Sequence, residues 1–220
     1  SSGTSVDTVY NIENIVGTSG DDTLIGGAGV VNTLQGGAGN DTLGGNIDGD
    51  SLDGGDNTDT LVYNGLSANL TVDMSLKTVA LTSDSSVKDS FEKIEIIQTG
   101  SGNDIFMLSG SKDSTKLTLD GGTGNNTLDY SGLSEGNIHV TLADSGYTTV
   151  SVNSGAGDDS IINISNISGS QNDDTITGNS AANTLHGNAG ADILDGGAGN
   201  DVLYGDAGSD TIIGTIDSGI

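Results

Sequence analysis

Regularly spaced aspartates are the residues of this sequence best suited to bind a ligand. From Gly169 the chain divides into five nine-residue units, whose sixth positions are Asp174, Asn183, Asp192, Asp201 and Asp210. A second block of five units, one of them a residue longer, begins at Gly17 with sixth-position residues Asp22, Asn32, Asp41, Asp50 and Asp59. Carboxylate oxygens without His or Cys partners suit a hard cation, so the pattern predicts calcium sites.

Each unit must hold its aspartate in a turn that is followed by a short strand. The first six residues carry the glycines of a tight turn, and the last three alternate as in a β-strand. Because strand side chains alternate in direction, the apolar eighth residue faces inward. These residues are Leu24, Leu34, Leu43, Leu52 and Leu61 in the first block and Ile176, Leu185, Leu194, Leu203 and Ile212 in the second.

Two units make one coil, and successive coils stack as parallel strands about 4.8 Å apart. The sequence therefore predicts an all-β fold, a right-handed parallel β-roll (β-solenoid) with two regular blocks and a looser, strand-rich middle. We expect an N-terminal block over 1–62, a degenerate-repeat middle over 63–168 that continues the roll, and a C-terminal block over 169–220.

Stacking brings like charges together, because units two apart share one edge of the roll. Asp174, Asp192 and Asp210 would lie on one edge, and Asn183 and Asp201 on the other. Two carboxylates about 5 Å apart repel by roughly 3 kcal/mol at an effective dielectric near 20. A divalent cation between them reverses the sign, and glycine turns direct carbonyl oxygens into the same gap. We therefore expect folding to be coupled to calcium, with Mg²⁺ disfavoured because it keeps its waters.

The units resemble the nonapeptide of the RTX (repeats-in-toxin), hemolysin-type calcium-binding proteins. GGAGNDTLG at Gly36 and GGAGNDVLY at Gly196 match every fixed position of the pattern G-G-x-G-x-D-x-U-x. The resemblance is specific over 17–62 and 169–213 and weak over 63–168. It implies about six calcium ions in the two blocks, and more if the middle contributes.

The resemblance also implies a ligand set for each ion. It consists of carbonyls from positions one and three of one unit, carbonyls from positions two and four two units later, and both sixth-position side chains. Where Asn32, Asn126 and Asn183 replace Asp, we expect weaker binding. The implied ligands are Gly17, Ser19, Asp22, Gly36, Gly37, Ala38, Gly39, Asp41, Asp50, Gly55, Asn57, Asp59, Gly169, Gln171, Asp174, Asn183, Gly187, Asn188, Ala189, Gly190, Asp192, Gly197, Gly199, Asp201, Asp206, Gly208 and Asp210.

Longer segments of the chain also recur with similar sequence, and we call these recurrences echoes. GGDNTDTLVYNGLS at Gly54 returns as GGTGNNTLDYSGLS at Gly121, and KIEIIQTGSGNDIF at Lys93 aligns without gaps with NISNISGSQNDDTI at Asn163. Single degenerate units also lie at 99–107, 121–129 and 154–162. These echoes indicate one elongated architecture rather than a linker between two domains.

Composition excludes several classes of protein. The 220 residues include 31 Asp and Glu against 5 Lys and no Arg, for a net charge of −26, so the chain has no basic surface for nucleic acid. No apolar run approaches the roughly 18 residues of a membrane helix, and the absence of Cys excludes disulfides. No zinc, nucleophile-elbow or phosphate-loop motif is present, and His139 and His186 are expected at the surface. We therefore expect no enzymatic activity.

By the resemblance, the chain is expected to be a secreted, extracellular or cell-surface module. It would act as a structural and secretion-folding segment of a larger protein or adhesin that leaves by type I secretion, in contact with neighbouring modules of its parent. The alternative is a module that binds an extracellular, alginate-type polysaccharide, attached to a secreted carbohydrate-active enzyme. Its candidate face is the lysine-bearing stretch 77–116, whereas Tyr10, Tyr63, Tyr130, Tyr147 and Tyr204 are too scattered to predict a sugar platform.

Overall fold

The computed structural model describes residues 12–109, 116–133, 135–152 and 158–214, and all regular structure within them is β. The first half contains β1 (Asn14–Val16), β2 (Thr23–Ile25), β3 (Thr33–Ala38), β4 (Thr42–Gly44), β5 (Ser51–Asp56), β6 (Thr60–Val62), β7 (Leu70–Asp73), β8 (Thr78–Leu81), β9 (Asp84–Glu92), β10 (Ile96–Gln98), β11 (Ile105–Met107) and β12 (Thr118–Asp120). The second half contains β13 (Thr127–Asp129), β14 (Ile138–Thr141), β15 (Thr148–Val152), β16 (Asp159–Ile162), β17 (Asn166–Ser168), β18 (Thr175–Thr177), β19 (Thr184–His186), β20 (Ala189–Gly190), β21 (Ile193–Asp195), β22 (Val202–Tyr204), β23 (Ala207–Gly208) and β24 (Thr211–Ile213).

Two eleven-stranded sheets run through all of these ranges. Sheet A has the order β1-β3-β5-β9-β8-β7-β11-β13-β17-β19-β22, and sheet B has the order β2-β4-β6-β10-β12-β16-β15-β14-β18-β21-β24. Most neighbours are parallel because the chain alternates between the sheets and returns to each one coil later. The all-β, parallel β-roll prediction is confirmed.

The core is a thin layer between the sheets, as the eighth-position pattern predicts. Leu34 pairs with Leu52 in sheet A, and Leu43 pairs with Leu61 in sheet B, all at most 1% exposed. At the last coil, by contrast, Ile212 is 48% exposed. Burial of this apolar layer supplies the hydrophobic part of the stability and fixes the register of the coils.

Two antiparallel meanders interrupt the parallel order. Strands β7, β8 and β9 form one in sheet A, and strands β14, β15 and β16 form the other in sheet B. They follow the two copies of the echoed sequence, which begin at Gly54 and Gly121. The copies therefore fold alike but add their extra strands to opposite sheets.

A buried tyrosine anchors each meander to its returning strand. The Tyr63 hydroxyl donates to Asp89 Oδ2 at 2.8 Å, and the Tyr130 hydroxyl donates to Asp159 Oδ2 at 3.2 Å. All four side chains are at most 2% exposed. Burial, together with the adjacent carboxylate, raises the pKa of both tyrosines well above its usual value. The hydroxyls therefore stay protonated and keep donating.

No helix in the described ranges is long and apolar enough to span a membrane.

Candidate metal centres

The sixth-position residues separate onto two edges of the roll. We call the turns that lead into sheet A the A edge and the turns that lead into sheet B the B edge. The A edge carries Asn32, Asp50, Asp104, Asn126, Asn183 and Asp201. The B edge carries Asp22, Asp41, Asp59, Asp159, Asp174, Asp192 and Asp210. All three sixth-position asparagines thus fall on the A edge.

On the B edge, one carboxylate oxygen of each coil accepts a backbone hydrogen bond from the preceding coil. The Asp41 amide donates to Asp59 Oδ1 at 2.8 Å, and the Asp174 amide donates to Asp192 Oδ1 at the same distance. The Asp192 amide in turn donates to Asp210 Oδ1 at 3.1 Å. The Oδ1 atoms therefore form a ladder along the edge that fixes each carboxylate.

The other oxygen of several carboxylates is buried without a donor. Asp41, Asp59 and Asp192 are at most 1% exposed, and Oδ2 of each has no hydrogen-bond partner. Asp104, on the A edge, has the same unpaired Oδ2. A buried acceptor without a partner is rare, and a bound cation would supply the missing partner.

At Asp41, Asp59 and Asp192, glycine at the first position allows a second acceptor to approach the unpaired oxygen. A Cβ at Gly36 would collide with both Asp41 Oδ2 and the Gly54 carbonyl oxygen. Equivalent contacts surround Gly187, where Asp192 Oδ2 lies beside a carbonyl of the next coil. Two acceptors that converge on one point fit a hard cation with oxygen ligands, such as calcium. No three carboxylate or imidazole groups converge within the described ranges, so these sites combine side chains with backbone carbonyls.

The backbone ligands implied at positions two and four lie in turns with left-handed residues. Gly37, Gly39, Gly197 and Gly199 have φ between 77° and 122°. A side chain at Gly199 would strain the backbone and also come within 2.7 Å of the Ala181 carbonyl oxygen. Three non-glycine residues at these positions, Asn57, Asn188 and Asp206, adopt positive φ as well.

Burial makes the metal-free B edge electrostatically unfavourable. Desolvation raises the pKa of Asp174 to about 6 and raises the pKa of Asp59 and Asp192. Neighbouring carboxylates raise these pKa values further, for example Asp210 beside Asp192. Backbone hydrogen bonds lower these pKa values, but the net shift of each is upward. A cation would remove this penalty, because it favours the charged form.

In the first unit of each block, the residue at position two donates hydrogen bonds to the sixth-position carboxylate of the same unit. The Thr18 amide and hydroxyl donate to Asp22 Oδ2 at 2.6 and 3.0 Å, and the Ser170 amide donates to Asp174 Oδ2 at 2.6 Å. A hydroxyl-bearing residue at position two therefore replaces part of what an ion would supply.

On the A edge, asparagine amides donate to carbonyl oxygens. Asn126 Nδ2 donates to the Gly121 and Asn163 carbonyls at 2.6 and 2.9 Å. Asn183 Nδ2 donates to the Ser165 carbonyl at 2.8 Å, and Asn32 Nδ2 donates to a carbonyl of the preceding coil at 3.2 Å. These amides satisfy acceptors that would otherwise need a cation or water.

Three buried aspartates of the edges are missing from the sequence-predicted ligands: Asp89, Asp104 and Asp159. Asp89 accepts backbone amides from Ile47, Gly49 and Asp50 as well as the Tyr63 hydroxyl. Asp104 and Asp159 occupy sixth positions of degenerate units, so the repeat pattern could have identified them as candidate ligands. Asp89 lies outside any unit. It could have been identified by extending the alignment of the segments at Lys93 and Asn163 toward the N-terminus, because Asp89 then aligns with Asp159.

The structure also shows the environment of several histidines and tyrosines that the sequence analysis considered. His139 is exposed, while His186 is half-buried, stacks on Tyr204 at 4.3 Å and lies 3.1 Å from Asp206. Tyr63 and Tyr130 are buried and cannot contribute to a sugar platform. Tyr10, Lys112 and their surroundings lie outside the described residues.

Paired carboxylates, glycine turns and stacked parallel strands together define a calcium-binding, all-β repeat protein. The chain matches the family model of the RTX calcium-binding nonapeptide repeat over residues 8–30, 31–61, 118–130, 168–203 and 186–218. These segments cover more than half of the chain, which therefore belongs to this family. The match confirms the sequence-based identification and calcium as the ion, and the repeat is a structural rather than a catalytic one. A comparison with curated proteins gives no significant match.

Proposed function

We propose that this chain is an extracellular module that folds on binding calcium, as a structural and secretion-folding segment of a larger secreted protein or adhesin. The observation that carries the proposal is the set of buried Oδ2 atoms without donors at Asp41, Asp59 and Asp192. A fold that buries such atoms is stable only when something compensates their charge. Because the chain belongs to a calcium-binding repeat family, calcium is the ion that we expect at these oxygens.

The same physical argument supports the proposal that the chain is secreted. With a net charge of −26 and repelling carboxylates on its edges, the chain would remain largely unfolded where free calcium is low. It would fold where calcium is abundant, outside the cell. RTX repeat proteins are typically secreted by the type I route and bind calcium outside the cell.

The proposed ligands are the sequence-predicted residues, with Asp104 added. The regular blocks 1–62 and 169–220 would bind most of the ions, and the middle, 63–168, would link them as part of the same roll. The Asp104 site lies in this middle, where its unpaired Oδ2 supports an additional ion.

The test is a calcium titration followed by circular dichroism. Strand signal should appear cooperatively at about 10⁻⁴–10⁻³ M calcium, the range of extracellular modules, and magnesium should not replace calcium. Asp192→Ala should raise the calcium midpoint severalfold, because it removes a buried ligand. Asp195→Ala removes the same charge from the same unit, but this half-buried side chain accepts only the Gly197 amide, so its effect should be smaller. Full strand signal in chelator, or equal shifts for both variants, would refute the proposal.

The polysaccharide alternative receives no support from the described residues. Lys93 pairs with Asp53 at 3.2 Å, and the neighbouring lysines Lys77 and Lys88 are exposed without an aromatic platform beside them. We therefore do not propose carbohydrate binding.

A further inference from the structure

The echoed sequence provides two copies of one turn that differ at the sixth position. The copy at Gly54 carries Asp59, and the copy at Gly121 carries Asn126. In both copies, the first-position glycine, the sixth-position side chain and a backbone carbonyl of a later coil meet at one point. The opposing carbonyl belongs to Lys93 in the first copy and to Asn163 in the second, and these residues share a left-handed backbone with φ of 52° and 60°.

In the first copy, two acceptors face each other without a donor. A Cβ at Gly54 would collide with the Lys93 carbonyl oxygen and lie 2.5 Å from Asp59 Oδ2, so both oxygens converge on this point. Asp59 is fully buried, its Oδ2 has no partner, and its Oδ1 accepts the Asp41 amide. A bound cation would compensate both oxygens at this point.

In the second copy, an amide nitrogen lies where the unpaired oxygen lies in the first. A Cβ at Gly121 would lie 2.5 Å from Asn126 Nδ2 and 2.6 Å from the Asn163 carbonyl oxygen. Asn126 is also fully buried, but Nδ2 donates to the Asn163 and Gly121 carbonyls. Its Oδ1 accepts the Asp104 amide at 2.9 Å, which fixes the orientation of the amide group.

We propose that Asn126 is a built-in replacement for calcium, so that the second copy of the turn stays closed without the ion that the first copy needs. The inference rests on the proposed calcium-binding function. Both amide hydrogens are used and the opposing carbonyl is already satisfied, so an ion entering here would break two hydrogen bonds and would find an amide where the first copy has a carboxylate.

The physical consequence is a turn near the centre of the chain, over 121–126, that stays closed without calcium. Asn126 lies beside Asp104 on the A edge, and its main-chain carbonyl accepts the amides of Ser165 and Asn166 from the next coil. The buried Tyr130–Asp159 pair follows within the same copy. Hydrogen bonds made by the side chain and the main-chain carbonyl of Asn126 thus join three successive coils.

The direct test converts the second copy into the first. Asn126→Asp should increase the calcium bound per chain by about one ion, measured by isothermal titration calorimetry. It should also raise the calcium midpoint for folding severalfold, because the metal-free state now buries an uncompensated carboxylate. The control is Asn125→Asp, an exposed neighbour with the same charge change, for which neither quantity should change appreciably. No gain of calcium over wild type would overturn the proposal.

The reverse substitution keeps the proposal testable if Asn126→Asp does not fold. Asp59→Asn should lose about one ion while leaving the calcium midpoint of folding unchanged or lower, because an amide at this position can donate to the Lys93 carbonyl. The control Asp56→Asn changes an exposed carboxylate of the same unit and should alter neither quantity. A higher midpoint for Asp59→Asn than for its control would show that the amide does not replace the ion. Absence of calcium binding by wild type would refute the proposed function, but the differences between variants and wild type would still decide this inference.

Discussion

The B edge stacks carboxylate on carboxylate, whereas the A edge interleaves carboxylates with side-chain amides. Asp41, Asp59 and Asp192 on the B edge each bury an oxygen without a donor. On the A edge, Asn126 and Asn183 donate to carbonyl oxygens of other coils or of their own turn. The same nine-residue unit thus leaves unpaired carboxylate oxygens at successive coils of the B edge, whereas on the A edge asparagine amides supply donors at several coils.

The difference arises from the alternation of units around the coil. Consecutive units fall on opposite edges, and the three units with Asn in place of Asp all fall on the A edge, so the negative charge of that edge alone is reduced. A neutral amide lowers the repulsion along that edge and supplies its own donors. The B-edge turns are also paired directly, as β20 with β23 and Gly37 with Gly55, which holds consecutive carboxylates in register.

Calcium removal should give the largest effect and should separate the edges. In excess chelator, amides in the B-edge turns 36–41 and 187–192 should exchange hydrogen much faster than amides in the A-edge turn 121–126. The reason is that the B edge loses its ion, while the bonds of Asn126 do not depend on one. Hydrogen exchange with mass spectrometry measures both in one sample.

The calcium-loaded protein is the control, and there the turns should be protected to a similar degree. If the A-edge turn loses protection first, or all turns open together, the local stability of the A edge depends on calcium at least as much as that of the B edge, which contradicts the prediction.

Acid should partly substitute for calcium on the B edge. The buried carboxyl of Asp174 has a pKa of about 6 against an ordinary value of 3.8, and the pKa values of Asp59 and Asp192 are also raised. The folded, metal-free state therefore binds more protons than the unfolded state between these values, and its stability rises as pH falls from about 7 to about 4. Circular dichroism in chelator should show strand signal increasing over this range.

Calcium affinity should change in the opposite direction, because the ion needs charged carboxylates and protons compete with it below about pH 6. Asp174→Asn should reduce the pH dependence of the metal-free state. A metal-free protein that loses structure between pH 7 and 5 would contradict the raised pKa values.

Removing one tyrosine hydroxyl should give a smaller effect that does not involve calcium directly. Tyr63→Phe leaves Asp89 Oδ2 with only the Ile47 amide, so the free energy of unfolding in saturating calcium should fall by about 1–3 kcal/mol. Chemical denaturation at saturating calcium measures it. Tyr147→Phe, at an exposed tyrosine, should cause almost no change. Equal stability of the two variants would mean that the buried pair does not anchor the meander.

Much of the fold was predictable because it depends on short-range periodicity. The alternation of turn glycines, Asp or Asn, and Leu or Ile specifies turn, edge and core within nine residues, so the β-roll, its apolar layer and its family follow from the sequence. The tyrosines were less predictable, since Tyr63 and Tyr130 look like scattered surface residues until the meanders bury them against Asp89 and Asp159.

The sequence by itself determined the repeat, the residue type at each sixth position and hence the predominance of carboxylates that need a cation. Only the tertiary structure decided that the two echoed copies add strands to opposite sheets and that Asp89 joins an edge from outside any unit. It also decided that Asp59 buries an unpaired oxygen where Asn126 donates two hydrogen bonds. The reason is physical: a unit encodes its own turn, but the acceptor opposite its side chain comes from a coil whose register is set by long-range packing.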